Sequence, residues 1–423
     1  MQSKPFTPQT SCADDIDTES LRVSEARQRI LESIRPIHEY EKLPIRSALD
    51  RILHTPIISP INVPPHRNSA MDGIAVMSTD LPESGSHDLN VIGTAYAGVA
   101  YKGQCLAGQC VRIMTGAPMP QGTDTVIMQE HVESLGDNRV RIFANHRPGQ
   151  NVRQIGEDIR KDGEVLKAGR RLTPADLGVL ASLGIGEVQV LRRPRVAFFS
   201  TGDELRSIGE VLGEGEIFDS NRYSLYGMLR QLDVEILDMG VVRDKPDALR
   251  ERLTHAAAVA DVVITSGGVS VGDADYIKQI LSELGEIGFW KIAMKPGRPL
   301  TFGQLGSTHF FGLPGNPVAV MVTFYQFVQP ALQYLASGIY KHSLTLQATC
   351  ISDLNNRPGR FEFQRGILTQ TADGHFEVDK AGKQGSGILT SMSHANCFIL
   401  LGEERETVKA GDKVTVQPFA IYL

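Results

Sequence analysis

From Arg195 to about Leu335, apolar runs short enough to be strands alternate with segments of helical spacing, and this alternation constrains the fold more than any other feature. The runs RVAFFS, VEILDMG, DVVIT, GFWKIAM and HFFGL read as strands. Helices are expected over 222–232, 246–259, 276–284 and 318–335. Strands joined to helices by short loops predict a three-layer α/β domain with a mostly parallel sheet. Ligands of such sheets bind beyond the carboxyl ends of the strands. Every chemically suggestive loop here follows a strand: 200–204, 243–244, 266–275, 295–298 and 314–317.

The stretch 261–275, DVVITSGGVSVGDAD, is the densest of these. A short buried strand leads into Gly267 and Gly268, whose backbone N–H groups can approach an anion, and then into a helix start whose dipole favours negative charge. Asp273 and Asp275 are out of place in a plain phosphate cradle. They make sense if a divalent cation sits between phosphate and carboxylate, and Asp273 also suits a helix cap.

At 423 residues the chain is too long for one core, and roughly two to four domains are expected. With 43 basic and 49 acidic residues the formal charge is −6, which argues against bulk attraction to nucleic acid or an anionic membrane. No apolar run is long enough to span a bilayer. Residues 1–20 are polar and lack a signal-peptide core, so a disordered tail and a cytoplasmic location are expected. Five scattered cysteines without a CxxC pair argue against a zinc site or a disulfide framework.

Residues 21–35 carry apolar residues near helical spacing and end at Pro36. Between 62 and 156 the pattern is short β-type runs broken by glycine, a β-rich insert. In it Asp72 reads first as a turn residue bonding its own backbone, and Thr115 as a turn hydroxyl able to cap or to bind an oxyanion. Arg153 and Asp158 lie in a mixed-charge loop of a kind that is usually solvated. Thr173 and Pro174 suit the N-cap and first position of a helix that Gly184 ends. Residues 341–423 predict a compact β barrel or sandwich. Neither GxGxxG nor GxxxxGK[ST] occurs, which disfavours hydride transfer and P-loop hydrolysis.

The α/β loops together supply Asp203, Glu204, Asp244, Asp273 and Asp275 as acids, and Lys291, Lys295 and Arg298 as bases. Carboxylates beside glycine-held donors suit Mg²⁺, and the cations suit phosphate or a second oxyanion. The plainer reading is a set of separate surface salt bridges, but common placement just past strand ends favours one site. The residues alone therefore point to a Mg²⁺-dependent enzyme acting on a phosphorylated or nucleotide-bearing substrate.

The stretches NSAMDG (68–73), RIMTGAP (112–118), RQIGEDI (153–159), STGDEL (200–205), TSGGVSVGDADY (265–276), FWKIAMKPGRP (289–299), GLPGNPV (312–318) and GRFEFQRG (359–366) occur in the order found in a known family. The chain resembles the MoeA family of molybdopterin molybdenumtransferases, to which the gephyrin E domain is similar, over residues 21–420. The resemblance implies a homodimer of elongated subunits. Each would have a discontinuous N-terminal part (21–61 and 157–190), the β-rich insert (62–156), an α/β molybdopterin-binding domain (191–340) and a C-terminal β domain (341–423). It implies adenylylated molybdopterin and molybdate as substrates, with Mg²⁺-dependent release of AMP. The preceding adenylyltransferase and acceptor molybdoenzymes would be partners.

Carried over by position, Asp72, Thr115, Asp158, Glu204, Asp244 and Asp275 match residues that matter for activity, with Glu204, Asp244 and Asp275 on the metal. Asp72 and Thr115 are expected to face the partner's α/β cleft in a dimer. Arg153, Gly267, Gly268, Lys291, Lys295, Arg298, Pro314, Pro317, Arg360 and Ser386 match substrate-binding positions. Ile74 departs from the tyrosine common after the Asp-Gly pair. Two alternatives are a molybdopterin adenylyltransferase, which would lack the insert and the C-terminal β part, and a non-catalytic scaffold of gephyrin type, which would not need the full charge set.

Overall fold

The computed structural model describes residues 20–267, 275–356, 358–404 and 407–419. Residues 1–19 of the predicted tail, Gly268 and Asp273 lie outside these residues. The chain forms two compact units, one of residues 42–190 and one in which the segment before residue 42 joins residues 191 onward.

The larger unit is built on a six-stranded sheet. Its strands run in the order Glu235–Val242, Arg195–Thr201, Val262–Ser266, Thr308–Leu313, Pro299–Leu305 and Glu286–Lys291. The first four are parallel, and Pro299–Leu305 runs antiparallel to both its neighbours, so Glu286–Lys291 shares the direction of the first four. Alternate residues enter opposite cores, as the two-residue strand period demands. Val196, Phe198, Val262 and Ile264 face one, where helices Ser220–Arg230 and Pro317–Thr323 pack. Ala197, Phe199 and Val263 face the other, against Leu249, Leu253 and Ala256 of helix Pro246–Val259 and Ile280 and Leu281 of helix Asp275–Leu284. Coverage on both faces leaves every residue of Val262–Ser266 buried, the polar Thr265 and Ser266 included. The sheet is the one expected, with one strand that sequence patterning misses. Pro299–Leu305 returns as a hairpin through Gly306, whose φ is +63°, and Ser307.

Helix Val23–Ser33 buries Val23, Ala26 and Ile30 in the first of these cores. One specific contact names the partner. Arg27 Nε donates to the Gln326 carbonyl at 3.1 Å and Nη2 to Gln326 Oε1 at 2.9 Å. Pro330, four residues further along that helical stretch, has no N–H to offer that carbonyl, and a π-type turn over Phe324–Val328 accommodates it.

The rest of the larger unit is a closed barrel of Leu346–Cys350, Phe361–Gln370, Phe376–Lys380, Cys397–Leu401 and Lys413–Pro418. A short strand, Met294–Lys295, leaves the α/β loops and pairs with Phe361 and Glu362 of the barrel.

In the smaller unit, six strands in the order Thr125–Met128, Gly73–Val76, Gln109–Ile113, Ser86–Ala95, Arg139–Phe143 and Val132–Gly136 make one sheet. Ile74 is buried in it, so the position after the Asp-Gly pair serves packing. A separate core joins Ala48, Leu53 and Ile57 to Leu166, Leu172, Leu180 and Val190. Helix Pro174–Ser182 begins with Thr173 capping the Asp176 N–H and Asp176 returning a bond to the Thr173 N–H. Among the described residues no helix is long and apolar enough to cross a membrane.

Removing the Arg27 contacts should cost about 1.5–3 kcal/mol, the usual worth of hydrogen bonds from a charged group. Urea denaturation of Arg27→Met against wild type measures it, and an unchanged midpoint would show that helix Val23–Ser33 docks by apolar packing alone.

Candidate functional site

The parallel strands deliver their carboxyl ends to one edge of the sheet, and the loops there are locked together. Gly267 has φ +90°, and a Cβ on it would lie 2.3 Å from the Thr201 carbonyl oxygen, so only glycine permits this approach. Its N–H donates to the Leu313 carbonyl at 3.2 Å. Asn221 Nδ2 donates to Ser266 Oγ (2.8 Å) and to the Gly315 carbonyl (2.7 Å), tying the strand end to the PGNP turn. Pro317 opens the next helix, and the Val318 N–H donates to the Ser386 carbonyl at 3.1 Å, which brings the C-terminal loop to the same turn.

Over this edge lies an acidic group. The Thr201 hydroxyl donates to Asp244 Oδ1, and the Asp244 N–H donates to Asp203 Oδ1 at 3.3 Å. Burial pushes the Asp244 carboxyl above its ordinary value. The Thr201 bond opposes that shift, and the charges of Asp203 and Glu204 add to it. Glu204 and Asp244 are thus neighbours, as expected. Asp275 opens helix Asp275–Leu284, but its side chain lies outside the described part. Among the described residues no three acidic, histidine or cysteine side chains form a metal cage. Mg²⁺ needs less, since it characteristically takes one or two carboxylates and completes its octahedron with water and substrate phosphate. A crowded, partly desolvated carboxylate pair fits that requirement.

The predicted cations lie toward the other end of the same edge. Lys291 ends its strand opposite Pro299, and Arg298 precedes that strand. Three strand spacings separate the strand of Thr201 from the strand of Pro299, or about 14 Å. Lys295 pairs with Glu362 at 3.1 Å, and the Glu362 side chain is only 4% exposed. Sequence reasoning missed Glu362, because it lies in the barrel, far along the chain from its partner Lys295 in the α/β loops. Arg365 was also missed. Fully buried, it donates to Ser391 Oγ (3.1 Å) and to the Gly385 carbonyl (3.2 Å), next to Ser386. Burial lowers its pKa to about 10, with Glu362 opposing the shift. Arg360 and Ser386 are both half-buried.

In the smaller unit, NSAMDG, TGAP and NVRQ are adjacent. Ser69 pairs with Val152 and Asn68 with Arg153, and the Gly116 N–H donates to the Ser69 carbonyl. Asp72 does not bond its own turn. Its Oδ1 accepts both the N–H and the hydroxyl of Thr115, each at 2.7 Å, and these bonds hold its carboxyl below the usual range. Gly73 serves strand packing, since a Cβ there would lie 1.9 Å from the Ile127 carbonyl oxygen. Arg153 and Asp158 are exposed, and the Asp158 N–H is held by the Val63 carbonyl on a neighbouring loop.

Three family descriptions match in order: the MoeA N-terminal region (domain I and II) over 21–184, a probable molybdopterin binding domain over 197–334, and the MoeA C-terminal region (domain IV) over 347–419. A Haemophilus influenzae protein named molybdopterin molybdenumtransferase is 44% identical, covering 94% of this chain and 98% of its own length. The chain belongs to the MoeA family. A Nostoc relative of the same name is 37% identical over 98% of this chain and 95% of its own length. The crystal structure of a molybdopterin biosynthesis MoeA protein from Pyrococcus horikoshii superposes with a TM-score of 0.83 at 29% identity, covering 95% of this chain and all of that one. The resemblance read from short turn motifs is therefore that of the whole chain.

Two outcomes test this MoeA edge. Gly267→Ala should cost about 1–3 kcal/mol, because the added methyl meets backbone at a left-handed φ, and thermal unfolding reads it. Asp244→Asn should stabilise the ligand-free protein at neutral pH. A carboxyl whose folded pKa is raised binds its proton more tightly in the native state, so stability falls as pH rises from the unfolded value of about 4 through the folded one. Asparagine lacks that loss. The gap between variant and wild type should close below about pH 4, and a pH-independent gap would remove titration as its cause.

Proposed function

We propose that this protein inserts molybdenum from molybdate into adenylylated molybdopterin with release of AMP, in a Mg²⁺-dependent step. One observation carries the reading. A single sheet edge presents carboxylates at one end and lysine and arginine about 14 Å away at the other, as a long ligand with a phosphoanhydride and a distant oxyanion requires. Membership of a family whose relatives bear the transferase name supports it.

On this reading Glu204 and Asp244, with Asp275, hold Mg²⁺, which when bound neutralises phosphate charge as the anhydride is cleaved. Gly267, with Gly268, admits the phosphates to close backbone contact, and Pro314 and Pro317 shape the adjoining pocket. Lys291, Lys295 and Arg298 bind and orient the anionic substrate. Arg360 and Ser386 are assigned to molybdate. Asp72, held as a carboxylate by Thr115, and the exposed Asp158 and Arg153 complete the set. The proposed parts are a discontinuous N-terminal domain (21–61 and 157–190), an insert (62–156), an α/β domain (191–340) and a C-terminal β domain (341–423), in a cytoplasmic homodimer. The adenylyltransferase that makes the substrate and the acceptor molybdoenzymes are its expected partners.

The test mixes purified protein with adenylylated molybdopterin, molybdate and Mg²⁺ and follows AMP. Release should require both molybdate and Mg²⁺. Glu204→Gln and Asp244→Asn should each lower kcat/KM by about 100-fold or more while remaining folded. AMP release that ignores molybdate would overturn the reading in favour of an adenylyl hydrolase.

A further inference from the structure

The loop at 243–244 contributes Asp244 to the acidic group, and its first residue, Arg243, is a cation to which the proposed reaction assigns no part. Both residues reach across to the 201–203 loop at the end of the neighbouring strand. Asp244 takes the Thr201 hydroxyl and gives its N–H to Asp203 Oδ1, while Arg243 Nη1 donates to the Asp203 carbonyl at 3.3 Å. The Lys245 N–H donates to the Arg243 carbonyl at 2.7 Å and fixes the turn that sets the two side chains apart.

The Asp203 carbonyl is shared. Arg206 Nη1 donates to it at 2.9 Å, so two guanidinium nitrogens meet at one neutral oxygen and lie within about 6 Å of each other, where like charges repel. Only one of the two charges is met. The Arg206 side chain is mostly buried and pairs with Glu216, which also accepts the Gly213 N–H at 2.9 Å. Arg243 is exposed and makes no ion pair among the described residues. Its side chain spends one donor on a carbonyl and keeps the rest of its fork for another acceptor.

An arginine held beside a second guanidinium, at a loop whose carboxylates it does not neutralise, suits an anion brought by a ligand. Phosphate fits best. Its oxygens match a guanidinium fork, and a cation on the neighbouring carboxylates draws the same group from the other side. We propose that Arg243 is a substrate-binding residue, gripping the phosphate of the adenylyl group and then that of the AMP product beside Glu204 and Asp244. This role rests on the transfer reaction proposed above. It adds a cation at the acidic end of the edge, apart from Lys291, Lys295 and Arg298 at the other.

Calorimetric titration of the full-length protein with AMP, and separately with adenosine, isolates the phosphate. In Mg²⁺ buffer the wild type should bind AMP at least about tenfold more tightly than adenosine. Arg243→Gln should lose most of that margin while adenosine binding and the unfolding temperature stay as they were. Arg243→Lys, a point charge without the fork, should recover part of it. A wild type that does not prefer AMP to adenosine overturns the assignment, as does an Arg243→Gln protein with wild-type AMP affinity. An equal loss for AMP and adenosine also overturns it, since that marks a structural disturbance. Molybdate-dependent AMP release is followed in the same wild-type preparation. Its absence sinks the transfer reaction, whereas release alongside an unaltered AMP affinity in Arg243→Gln sinks the role of Arg243 alone.

Discussion

The site edge of the larger unit depends on one close approach, that of Gly267 to the carbonyl of Thr201. Parallel pairing of Arg195–Thr201 with Val262–Ser266 sets the two strand ends side by side, and the loops beyond them diverge only as far as side chains require. With no side chain at Gly267, the second loop crosses directly against the first, and its N–H reaches the Leu313 carbonyl on the next strand. Thr201, held on the other side of that contact, turns its hydroxyl to Asp244 at the end of a third strand. Three loops are thereby keyed to one backbone position, and the carboxylates they carry cannot relax apart.

That rigidity has an electrostatic consequence. Asp244 is held partly buried beside Asp203 and Glu204, and its raised pKa records burial first and the charges of those two neighbours second. Asp72 is the opposite case within the same chain. Two donors from Thr115 meet one oxygen, and its charge is stabilised by the protein itself. An acid already satisfied by its own fold is fit to orient or accept a hydrogen bond. An acid left short of positive charge is fit to take a cation. The two loops differ in chemistry because they differ in what the surrounding backbone supplies.

Much of this was legible in the sequence because the signals were local. Strand–loop–helix alternation gave the sheet and, through it, the edge on which Glu204, Asp244 and Gly267 converge. Thr173 and Pro174 marked a helix start from within one turn of chain. What escaped was non-local or self-contradictory. Pro299–Leu305 opens with proline and carries Gly303, both poor strand residues, yet it pairs on both sides, because the proline is only its first residue and Gly303 lies where a Cβ would be 2.1 Å from the Glu286 carbonyl oxygen. In RFEFQRG aromatic and polar residues alternate, the pattern of a strand with one solvated face. Glu362 and Gln364 on one face and Arg365 on the other are nonetheless buried, Glu362 against Lys295 and Arg365 against Ser391 and the Gly385 carbonyl.

Glu362 shows how closely binding and stability are joined here. It is buried, pairs with Lys295 from the α/β loops, and lies close enough to Arg365 to favour its charge. Arg365 in turn holds the Gly385 carbonyl, and the next carbonyl, that of Ser386, accepts the Val318 N–H at the head of helix Pro317–Thr323. One buried carboxylate therefore sits in a polar path running from the cationic loop, through the barrel, to the PGNP turn. Removing the Lys295 amine would leave Glu362 short of a partner in a low-dielectric setting, which is more damaging than never having had the pair. A Lys295 variant thus loses a ligand contact and disturbs the loop of Ser386 together. The two effects separate only when Lys295 and Glu362 are neutralised both singly and jointly, because a coupling energy that persists without ligand belongs to the fold and one that needs ligand belongs to the site.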